Sequence, residues 1–80
     1  MENKIAVVAV IVSDYKAVET VNTVLHDFRE YVVGRMGIPY RQRNVNIISV
    51  VLDAPAETIN SLSGKLGMIN GVSSKVLTAK

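Results

Sequence analysis

Three arginines, Arg35, Arg41 and Arg43, fall in or just after the stretch YVVGRMGIPYR, residues 31–41. A guanidinium holds a carboxylate or phosphate through paired donors, so the cluster suits a small anionic or amino-acid-like ligand, or an acidic partner. Charge at a hairpin tip also serves solubility and blunts edge pairing, which suffices to explain Arg41 and Arg43. Arg35 lies inside the stretch, between Gly34 and Gly37, where that account fits less well. Isolated glycines in a strand mark a bulge or a close backbone approach. Gly34, Arg35, Gly37, Tyr40 and Arg41 therefore form one candidate ligand segment. Ser13 and Asp14 form another, because they precede a helix whose N-terminal amides can hold an anion. Capping that helix explains both without a ligand. The one histidine, His26, is a weak metal candidate near the end of the same helix, roughly 120° around from its apolar stripe. A surface histidine favoured by the helix dipole accounts for it equally.

Other chemistry is missing from the chain. Cysteine is absent, which removes thiolate metal sites, disulfide staples and cysteine nucleophiles, and a small chain without staples fits the cytoplasm. No Ser-His-Asp set, paired carboxylates or metal-ligand spacing stands out, so neither an enzyme nor a cofactor is expected. The formal net charge of +2 is spread along the chain, with only Tyr31 and Tyr40 near the arginines, too little for a nucleic-acid surface. The apolar run near the N-terminus is too short to span a bilayer.

The elements that must position these residues follow from hydrophobic pattern. Ile5 to Val12 is apolar on both faces and predicts a buried strand. Val18, Val21, Leu25 and Phe28 make a helical stripe over Tyr15 to about Arg29. Residues 31–41 and Val45 to Leu52 predict a hairpin around the turn Arg41 to Asn44. Asp53 and Pro55 signal a helix start, and Ile59, Leu62 and Leu66 share one face of a helix from Ala56 to Leu66. Gly67 suits a left-handed position past its end, and Asn70-Gly71 leads into a strand from Val72 to Thr78. The order βαββαβ in 80 residues predicts one domain, residues 1–80. Its class is α+β: a ferredoxin-like sandwich with a four-stranded antiparallel sheet in the order 4-1-3-2 and two helices on one face.

Two helices cover only one face. The first strand still carries Ile5, Val7 and Ile11 on the other face, and the third carries Val45, Ile47 and Val51. Such a strip exceeds what soluble monomers usually leave in water, so a dimer or tetramer through the open face and edge strand is expected. Residues 31–41 become the edge strand, where Pro39 is tolerated. Alternation places Val32, Gly34, Met36, Ile38 and Tyr40 on one side, with Tyr31, Val33, Arg35, Gly37 and Pro39 on the other.

VNTVLHDFREYVVGRMGIPYR, NIISVVLDAP and LSGKLGMINGVSSK together resemble the iron-only hydrogenase system regulators, which are ACT-like proteins similar to the C-terminal domain of nickel-responsive repressors. The resemblance covers essentially the whole chain, and GRMGIPYR is its most specific part. It implies the βαββαβ fold, homo-oligomers and a regulatory or ligand-sensing role in a hydrogenase system, with transcription as one level of action. ACT-like domains commonly receive ligands beside the turn after the first strand, here Ser13-Asp14, near a subunit interface. Nickel-responsive repressors carry an N-terminal ribbon-helix-helix, but here the first strand begins at residue 4 or 5, so no direct DNA-binding module is expected. Their metal site also needs strand histidines and a cysteine, and only His26 matches it, which does not make a square-planar nickel set. Acylphosphatases, similar in topology, use an arginine with an asparagine. Arg35, Asn44 and Asn46 are present, but VSDYKAV lacks the glycine-rich loop that cradles phosphate. The alternative to a ligand sensor is an interaction adaptor without a small ligand.

Overall fold

The computed structural model describes residues 2–79. In chain order the elements are β1 (Asn3–Val12), α1 (Val18–Asp27), β2 (Val32–Tyr40), β3 (Val45–Pro55), α2 (Ala56–Gly67) and β4 (Val72–Thr78). The sheet runs β2-β3-β1-β4, the expected order read from the opposite edge, and every neighbouring pair is antiparallel.

The valine-rich central strands form because β-branched side chains pack well on a pleated surface. One face of β1 (Ala6, Val8, Val10, Val12) and one face of β3 (Ile48, Val50, Leu52, Ala54) are fully buried. Val21, Leu25 and Phe28 from the first helical region, and Ile59, Leu62 and Leu66 from α2, close the core over them. No polar or charged residue is buried among the described residues, so the interior contains packing and no chemistry.

Several local expectations change. The first helix is shorter than residues 15–29: Tyr15–Ala17 is a 3-10 turn, and α1 ends at Asp27. Phe28 is drawn into the core, its amide bonding to Leu25 O at 3.1 Å, and a second 3-10 turn, Arg29–Tyr31, follows. Asp14 caps the first turn, its carboxylate accepting from the Lys16 amide at 3.0 Å. Ser13 does not cap. Its amide and its Oγ both donate to Gly71 O, at 2.7 and 3.1 Å, tying the end of β1 to the entrance of β4.

Asp53 is a strand residue opposite Ile5 rather than a cap, because the β1–β3 ladder continues as far as Asn3 opposite Pro55. Pro55 takes the N-cap position with no side-chain bond. Gly67 is the last residue of α2, and the left-handed positions are Gly71 (φ 82°) and Asn44 (φ 56°). A Cβ on Gly71 would collide with Asp14 Cβ, so both the dihedral and the space require glycine there.

The edge strand carries one bulge. Val32 lies opposite Leu52 and Gly34 opposite Val51, leaving Val33 as the extra residue. This moves Val32 to the helix side, where it packs on the core, away from Gly34, Met36, Ile38 and Tyr40, with which simple alternation groups it. Beyond the bulge the alternation holds. Arg35, Gly37 and Pro39 pair with helix-side positions Val50, Ile48 and Asn46, while Gly34, Met36, Ile38 and Tyr40 share the open face.

Candidate functional site

The candidate residues separate into three places. At the end of the sheet where β1 finishes, the Ser13 hydroxyl donates to Gly71 O and one Asp14 carboxylate oxygen accepts from the Lys16 amide. Tyr40 and Arg41 border a small hollow of about 160 Å³ with Tyr15, Pro39 and Asn44 around it. The Tyr40 hydroxyl donates to Gln42 Oε1 at 3.0 Å, and Arg41 lies in a 3-10 turn (Arg41–Arg43) closed by left-handed Asn44. Gly34 stands on the open face, and neither Gly34 nor Gly37 has anything within 4 Å of where a Cβ would be. Neither glycine marks a close approach within the chain.

Arg35 is in the third place, a trench between α1 and β2. Its Nη2 crosses the trench to donate to Asn22 Oδ1 at 3.0 Å. That bond divides the space. On one side a recess of about 290 Å³ is bordered by Asn22, His26, Arg29 and Arg35, with Leu25, Val32 and Val50 as its apolar wall. On the other side a recess of about 210 Å³ runs past Gly37 to Pro39 and Asn46. No carboxylate lines either recess. Gly37 keeps the second recess open, since any side chain there would point into it.

Arg29 donates through Nη1 to His26 O at 3.0 Å, which fixes its stem at the end of α1. In the sequence Asn22, His26 and Arg29 follow one another at i, i+4 and i+7, the spacing of a helix face, although Arg29 itself lies in the 3-10 turn after α1. The pattern was present in the sequence, but the apolar stripe beside it dominated the periodicity. What no spacing reveals is that this face stands over Arg35. Among the described residues no group of three His, Cys, Asp or Glu side chains is arranged to hold a metal ion, and His26 has neighbouring arginines instead.

The opposite side of the sheet is bare. Ile5, Ile11 and Ile47 of the central strands keep 48%, 47% and 38% of their surface, where a covered central strand would keep almost none. Register lines the side chains up in rows. Ile11, Ile47 and Ile38 make a ridge, Ala9 and Ser49 a shallow trough beside it, and Val7, Val51 and Leu77 the far bank. Lys75 is on the β4 side of the trough, and Met36 on the β2 side.

With this geometry, comparison with known proteins becomes informative. A family described as "TM1266-like: Iron-only hydrogenase system regulator, putative" matches residues 4–76. The chain belongs to the TM1266-like family. The solved structure of uncharacterized protein TM1266 from Thermotoga maritima is 40% identical, with a TM-score of 0.94, over 99% of this chain and 100% of that one. Two more distant structures share the fold alone. A formyltetrahydrofolate deformylase from Pseudomonas putida KT2440 is 20% identical with a TM-score of 0.66, over 95% of this chain and 29% of that one. An unknown protein from Galdieria sulphuraria is 19% identical with a TM-score of 0.66, over 99% and 46%. No curated protein sequence matches the chain. As in the family expectation, the fold of this TM1266-like chain is ferredoxin-like, and no helix among its described residues is long and apolar enough to cross a membrane.

Proposed function

We propose that this TM1266-like protein is a cytoplasmic, homo-oligomeric regulator of an iron-only hydrogenase system that responds to a small ligand. One observation carries the reading: the bare apolar face of the sheet, in a chain whose family is described as a hydrogenase system regulator. Four strands about 4.8 Å apart and about eight residues of 3.3 Å give a face of roughly 500 Å². Two such faces together reach roughly 1,000 Å², about the minimum for a specific interface. The ridge of Ile11, Ile47 and Ile38 beside the trough at Ala9 and Ser49 suits a second copy related by a twofold axis, ridge to trough. A protein adaptor would use the same face for a different partner, and the self-matching relief favours another copy.

β2 connects the two surfaces. Arg35 and Gly37 line the trench on one side, and Met36 and Ile38 belong to the open face on the other. A ligand that shifts the edge strand in the trench therefore changes what the second copy meets. The reading includes no catalysis: the family is described as a regulator, and no polar or charged residue is buried among the described residues. A thermal-shift panel of amino acids, nucleotides and divalent metals tests the sensing role. A ligand at a hundred times its dissociation constant adds about 2.7 kcal/mol of stability. The reading expects at least one class to raise the melting temperature, and a flat panel would favour the adaptor.

A further inference from the structure

We infer that the trench between α1 and β2 is a binding site for a small organic oxyanion, a carboxylate or phosphate head on a short apolar body, with Arg35 as its principal ligand. The inference deepens the sensor reading and rests on it. The recess of about 290 Å³ is close to the lower limit for small-molecule sites. Its polar border is Asn22, His26, Arg29 and Arg35, all of them able to donate hydrogen bonds, and its other wall is Leu25, Val32 and Val50. A charged head against the first set and a short hydrocarbon body against the second would satisfy both.

Both arginines keep donors free for a ligand. Arg35 commits one nitrogen to Asn22, a neutral acceptor, and a guanidinium has further N–H groups in the same plane. An incoming oxyanion is a stronger acceptor than an amide oxygen, because its charge about doubles the strength of each hydrogen bond. It can displace Asn22 Oδ1 and leave the Asn22 amide group to donate to the anion. Arg29 donates to a backbone carbonyl, at 3.0 Å, and adds a second cation. Asp27 and Glu30 border a separate recess that Arg29 also lines, and Glu19, three residues before Asn22 and on the same side of α1, lines neither trench recess. Gly37 leaves the neighbouring recess open for the part of the ligand that passes the Arg35–Asn22 bond.

The test is a nuclear magnetic resonance titration of the full chain with two probes, inorganic phosphate and isovalerate, following the arginine Nε signals, the His26 ring and the Asn22 amide. Saturable shifts confined to Asn22, His26, Arg29 and Arg35 are expected. Tighter isovalerate identifies a carboxylate source, and tighter phosphate a phosphorylated one. Arg35→Gln weakens binding at least tenfold, whereas Arg43→Gln, outside the trench but equal in charge, changes it less than twofold. Gly37→Val, which fills the neighbouring recess without touching a charge, also weakens binding, so the result does not depend on one variant folding well. Unsaturable shifts spread over Arg41, Arg43 and Lys75, or equal affinity in Arg35→Gln, would overturn the site. Sedimentation of the same samples separates the two failures. An oligomer that does not bind either probe refutes the trench alone, and a monomer refutes the reading of the open face.

Discussion

Arg35 owes its availability to its neighbours. Along the helix side of the edge strand, Arg35 is preceded across the bulge by the short side chain of Val32 and followed by Gly37, which has none. The guanidinium is left to cross open space to Asn22, a partner that holds it without neutralising it. Asn22→Asp would change that. A carboxylate at this position pairs with Arg35 and occupies the donors an anion needs, so the substitution is expected to abolish probe binding while leaving the circular dichroism spectrum unchanged. If Asn22→Asp binds phosphate or isovalerate as the parent does, Arg35 is not the ligand. Gly37→Val makes the complementary point through shape. Valine suits an edge strand and nothing stands within 4 Å of its Cβ position, so the fold should tolerate it while the recess shrinks.

At the scale of elements, the joint between β1 and β4 and the packing of α2 are the most sensitive. Gly71 combines a left-handed φ of 82° with direct opposition to Asp14, and its carbonyl receives both Ser13 bonds. Gly71→Ala is expected to cost about 2–4 kcal/mol in chemical denaturation, from backbone strain plus overpacking. A change below 0.5 kcal/mol would mean the turn relaxes freely. Leu62→Ala, at a fully buried position of α2, is expected to cost about 2–5 kcal/mol, from lost burial and a cavity. The strands and helices themselves were legible in the sequence, because runs such as IAVVAVIV leave no other reading and the stripes of both helices were regular. What misled were residues with two plausible roles. Asp53 looks like a cap, but the ladder to β1 extends past it to Pro55. Ser13 looks like a cap, but a carbonyl distant in sequence claims it. Gly67 looks like a left-handed residue just past the helix, but it is the last residue of α2, and the left-handed glycine is Gly71. A bulge shifts facing by one residue with no compositional mark except the glycine beside it, so simple alternation groups Val32 with Gly34 and Met36 when it shares the helix side with Arg35. The trench was legible only in halves: Arg35 stood out, and Asn22, His26 and Arg29 lay at helical spacing, but their meeting depends on tertiary structure.

For the whole molecule, the helix-covered face and the bare face set the account together. One face supplies a core of aliphatic side chains, and the other spends similar side chains on water unless a second copy covers them. At about 25 cal/mol per Å² the burial of such a face is a substantial gain for a small chain, less the cost of association. Ile11→Lys combined with Ile47→Lys sets two charges on the ridge, far from the core and from the trench. The double variant is expected to be a folded monomer with reduced thermal stability. If it assembles as the parent does, the interface is elsewhere. The most direct measurement is sedimentation velocity of the unaltered chain at micromolar concentration. The account predicts a species of two or four chains, and a folded species of one chain, unchanged as concentration rises, would contradict it.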